Sequence, residues 1–113
     1  MSFFESEVVR AEMTEIAELQ EEVYSTVFAF PQLSVEDQKY HVDVLEKLLN
    51  KQQILYTRLS LSDDPEAKKM KEEICKGAVA MGLPSNVDMQ VIFNNMTQAI
   101  SMMRQQIDRR SST

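Results

Sequence analysis

The sequence predicts an all-α protein of four antiparallel helices, a long hairpin followed by a shorter one, on three observations. Helix breakers are scarce, with 2 Gly and 3 Pro in 113 residues, and good helix formers fill much of the chain. Apolar residues recur at alternating spacings of three and four, which lines up one face of a helix. Cap and stop signals divide the chain into four segments, at about 3–28, 35–61, 65–81 and 86–109, within one domain spanning 1–113.

The first helix is expected to start after the capping box of Ser2 and Glu5 and to stop ahead of Pro31, because the residue before proline is pushed out of helical geometry. Val9, Met13, Ile16, Gln20, Val23 and Val27 form its stripe, with Gln20 as a polar guest. Ser34 with Asp37 opens the second helix. Its stripe is His41, Leu45, Leu48, Gln52, Leu55 and Leu59, widened by Val42, Val44, Leu49, Ile54 and Tyr56, so it should touch two neighbours. Asp64 as cap and Pro65 at the first helical position restart the chain. The third helix carries Ala67, Met70, Ile74, Ala78 and Met81 on one face, and Gly82-Leu83-Pro84 stops it. Ser85 with Asp88 opens the fourth, whose stripe is Met89, Phe93, Met96, Ile100, Met103 and Ile107, and Arg109 onward reads as a loose tail.

At a rise of ~1.5 Å per residue these helices would be ~39, 40, 26 and 36 Å long. The third is too short to cover the first hairpin from end to end. An apolar strip is left over, and it predicts a partner, most simply a second copy in a homodimer. Gln20 and Gln52 each interrupt an apolar stripe, and buried amides are best known for setting register and oligomeric state. In an antiparallel hairpin, position 20 faces the mid-40s rather than 52, so if these two glutamines meet, a dimer interface is where they are expected to do so.

The net charge is −6, and it is unevenly spread: residues 1–50 hold 11 acids and 3 bases, residues 51–113 hold 7 acids and 9 bases. The acidic balance argues against phosphate-led nucleic-acid binding, which needs a basic face. Glu12, Glu15, Glu18 and Glu22 make the first helix an acidic surface for a protein partner. Cys75 has no second cysteine to pair with, which fits a reducing cytoplasm. No apolar run reaches the ~20 residues a membrane span needs, and the N-terminus lacks the long apolar stretch of a signal peptide.

Catalytic constellations are missing. A di-metal carboxylate site in a bundle needs two Glu-x-x-His motifs, whereas this chain has one histidine, His41, three residues after Gln38. Asp37 and His41 lie one turn apart, but two ligands do not make a metal site. Cys75 has no histidine or acid motif to activate it. Gly77 and Gly82 lack the Lys-Ser/Thr of a phosphate loop. The stretch after Pro84, Ser85-Asn86-Val87-Asp88-Met89-Gln90, has no base until Arg104, unlike a DNA recognition helix. Neither a catalytic residue, nor a cofactor, nor a metal is predicted. Of the 8 methionines, Met89, Met96 and Met103 fall on the inward stripe, and Met102 is free to contribute to an adaptable binding surface.

The opening Ser2-Phe3-Phe4-Glu5-Ser6-Glu7-Val8-Val9 and the Arg58-Leu59-Ser60-Leu61-Ser62-Asp63-Asp64 that ends the Leu-rich second helix resemble a family of short uncharacterised helical proteins, a domain of unknown function, found in cyanobacteria and in their tailed phages. The resemblance implies a cytoplasmic setting, in the host cell if the gene is a phage's, and supplies no catalytic residue. The expected function is therefore a non-enzymatic regulatory protein that binds and modulates a larger host or phage complex. A structural or assembly component of a phage particle is the alternative.

Overall fold

The computed structural model describes residues 3–80 and 88–111. It is all-α: α1 spans Glu7–Thr26, α2 Val35–Leu61, α3 Pro65–Ala80 and α4 Met89–Ser111, with 3-10 segments at Phe3–Glu5 and Val27–Gln32 and no strand among the described residues.

α1 is shorter than expected at both ends. Ser6, not Ser2, caps it: Ser6 has extended backbone (φ −64°, ψ 129°) and its side chain accepts from the Val9 N–H. Ser2 lies outside the described residues. The 3-10 turn ahead of Ser6 lets Phe3 and Phe4 meet edge to face at 5.1 Å and pack on the core. It also brings the Phe3 N–H to the Asp64 carboxylate, which accepts from the Glu66 N–H as well. These bonds hold the Asp64 carboxyl below its ordinary value. At the other end, Thr26 leaves helical geometry (φ −122°, ψ −8°) and Pro31 sits inside the 3-10 segment rather than beyond a helix end. Val27 and Phe28 are turned outward, and Leu19 takes the buried place in the stripe beside Val9, Ile16 and Val23.

α2 has the expected bounds, with the Ser34 side chain accepting from Asp37 N–H at 3.2 Å. It is the axis of the molecule. α1 packs along one flank, where Arg58 pairs with Glu12 and Lys51 with Glu15. α4 packs along the other, where Arg104 forks between Asp43 (2.8 Å) and Glu46 (3.1 Å) and Tyr56 meets Phe93 edge to face. Exposed pairs of this kind are worth only ~0–1 kcal/mol each, so they set register more than stability.

Among the described residues, α3 and α4 both pack on α2. The reason is the breadth of α2's apolar surface. Val44, Leu48, Leu55 and Leu59 build one core cluster with α1 and Ala67 of α3, while Val42 and Leu49 build another with Phe93, Ile100 and Ile107 of α4. Leu45 packs against both. α4 does not fray into a loose tail either, because it is helical to Ser111 and Arg110 donates to the Leu33 carbonyl. Met81 and the Gly82–Ser85 turn lie outside the described residues. The resulting slab measures 54 × 32 × 20 Å, and its radius of gyration is 16.3 Å, against ~13 Å for a compact chain of this length.

Candidate functional site

Between the four helices lies an open, mainly apolar cleft of about 330 Å³. α1 contributes Ile16 and Gln20, α2 contributes Gln52, Leu55, Tyr56 and Leu59, α3 contributes Met70 and Ile74, and α4 contributes Met89, Phe93 and Met96. Gln20 and Gln52 both line this cleft within one chain, although position 20 was not expected to face 52. No hydrogen bond joins them among the described residues. Hairpin register alone misses this because the cleft is wide enough to admit positions that do not face each other. Met96 is 47% exposed at the cleft, not inward as its spacing suggests, while Met103 packs on the core. Lys71 lies over the Tyr56 ring, and burial, followed by the neighbouring Cys75, pushes the Tyr56 hydroxyl above its ordinary value.

The acidic residues of α1 are divided between internal and external roles. Glu12 accepts from Arg58 at 3.1 Å with one oxygen, while its other oxygen is buried without a partner among the described residues. Glu15 pairs with Lys51, whose hydrogen bond and charge lower the Glu15 carboxyl. Glu22 accepts from the Tyr40 hydroxyl, and this hydrogen bond, followed by the Glu22 charge, holds the phenol above its ordinary value. Three of the four glutamates singled out in the sequence thus face intrachain partners on α2. Glu18 and Glu21 are exposed without such a pair among the described residues. Met102 stands 60% exposed on α4, away from the residues that line the cleft.

A second surface was not predicted. Where α1 gives way to the 3-10 segment, Tyr24, Val27 and Phe28 are all exposed, Phe28 by 94%. The three lie within five residues of one another, across the change from α1 to the 3-10 segment. The available signal was an aromatic pair, positions 24 and 28, displaced from the apolar stripe that ends at 23 and 27.

Just inside this end of the hairpin, His41 is buried (5% exposed), 5.2 Å from the Phe30 ring, with Nδ1 2.8 Å from the Thr26 hydroxyl. A small pocket of about 170 Å³ adjoins it, bordered also by Glu22, Asp37 and Tyr40. Gln38, also buried, donates to the Phe30 carbonyl at 2.9 Å and anchors the 3-10 segment to α2. Burial lowers the His41 pKa from 6.5, keeping the ring neutral in the fold. A depressed folded pKa gives stability that is present above 6.5 and is lost as pH falls from there through the folded value. Urea midpoints are therefore expected to drop across this window in the native chain and to stay flat in His41→Gln. Glu15 and Asp64 start from 4.5 and 3.8 and are lowered further, so their losses come at more acid pH.

Among the described residues no group of three or more His, Cys, Asp or Glu side chains is placed to hold a metal ion. No described helix is long and apolar enough to cross a membrane.

Taken together, the fold and its surfaces define an all-α protein with an apolar cleft at a four-helix junction and an exposed aromatic end. The chain belongs to the family described as a domain of unknown function (DUF1825), which matches residues 1–107. No curated protein and no solved structure matches it.

Proposed function

We propose that this protein is a non-enzymatic interaction protein that binds and modulates a larger protein complex through the end of its α1–α2 hairpin. The observation that supports the reading most is Phe28, 94% exposed, with Tyr24 and Val27 beside it. Exposed aromatic anchors of this type are enriched among the residues that dominate binding energy when they enter a partner's pocket. Exposed Glu18 and Glu21 on the adjoining α1 favour a partner whose pocket is rimmed by Lys or Arg, and they disfavour an anionic membrane surface or nucleic acid. The setting proposed is the cytoplasm, and the complex one of a cyanobacterium or of an infecting phage.

The test is a photo-crosslinking amino acid at position 28, expressed in the native cell. The expected result is a discrete adduct to one host or phage protein, mapped to a basic, apolar surface and abolished by Glu21→Lys with Tyr24→Ala. An adduct to a major virion protein favours the structural role instead. Absence of any adduct, while a probe placed at the cleft does react, removes the hairpin end as the binding surface.

A further inference from the structure

We propose that the four-helix cleft is completed by a second copy of this chain, docked face to face so that the two Gln52 side chains lie near a twofold axis. The inference concerns a different surface from the hairpin end and does not depend on it.

Area is the first argument. The chain exposes 7944 Å², whereas a folded monomer of 13.0 kDa is expected to expose ~6,300 Å². The excess, ~1,600 Å², is about twice what one partner loses in a standard interface. A flat slab of 54 × 32 × 20 Å is a shape that produces such an excess.

Polarity is the second. Gln20 and Gln52 present amides in a mainly apolar cleft and have no hydrogen-bond partner among the described residues. An amide is self-complementary, with one acceptor oxygen and two donor hydrogens. Two copies related by a twofold axis bring the same patch against itself, and Gln52 can then pair with its symmetry mate.

The test uses the full chain. With Cys75 replaced by serine, Gln52→Cys is oxidised under mild conditions and compared with Ile54→Cys, which lies on an exposed part of the same helix. Confinement of two thiols in one complex raises their effective concentration to about millimolar, so the Gln52→Cys chain should crosslink roughly tenfold faster or more. Met96→Glu, at a half-exposed position that leaves helix content unchanged by circular dichroism, should convert the sedimenting species from dimer to monomer. Equal crosslinking at 52 and 54, a dimer indifferent to Met96→Glu, or a small apolar ligand found filling the cleft by native mass spectrometry would each overturn the proposal.

Discussion

Leu59→Ala is expected to destabilise the fold by about 2–5 kcal/mol. Leu59 is 1% exposed and belongs to the cluster in which α1, α2 and Ala67 of α3 converge. Truncation removes three carbon atoms where three helices meet, and rigid neighbours on every side cannot all move in to fill the space. A domain of this size has a total stability of ~5–15 kcal/mol, so the loss is a large fraction of the whole. Urea unfolding followed by circular dichroism checks it: the midpoint should fall sharply with an unchanged slope. A shift no larger than that of an exposed control such as Thr57→Ala would mean that the junction is not packed as described.

Ala67→Leu is expected to cost about 1–3 kcal/mol by the opposite mechanism. Ala67 has no exposed surface, two residues into α3 and one turn from the Asp64 bonds that fasten the N-terminal segment. A larger side chain has no free volume to enter and must push α3 off α2. Because Met70 and Ile74 of α3 line the cleft, hydrogen exchange should accelerate along α3 before it does along α1 or α4. Uniform acceleration across the chain would show that α3 does not dock as a separate unit.

These two positions also mark what could be read from the chain alone. Ala67 and Leu59 fall on clear helical stripes, and the bounds of α2 follow from Ser34 at one end and the Ser62–Pro65 break at the other, where single unambiguous signals stand. α1 was harder because Ser2 and Ser6 both offer a cap. The choice of Ser6 rests on the docking of Phe3 against the start of α3, 61 residues away from Phe3 at Asp64. Its stripe was misplaced by one step because Leu19 and Gln20 both continue a three-four pattern from Ile16. Periodicity alone cannot separate two neighbouring stripes; the partner helix does. For the same reason the pairing of α4 with α2 was hidden, since stripe positions tell that a face is buried and not against which helix.

The candidate surfaces divide along similar lines. Gln20 and Gln52 stood out as polar guests on apolar stripes, and they do share the cleft. The acidic face of α1 was visible as composition, but the commitment of Glu12, Glu15 and Glu22 to Arg58, Lys51 and Tyr40 depends on hairpin register. Phe28 escaped notice because its exposure comes from the departure of Thr26 from helical geometry, a local event with no sequence marker stronger than Pro31 five residues on.

The proposed binding role rests on apolar surface that the described residues leave open. Light scattering on the unaltered full-length chain at high micromolar concentration measures this most directly. The expected mass is about 26 kDa, twice the 13.0 kDa of one chain. A single species of 13.0 kDa at that concentration would contradict it.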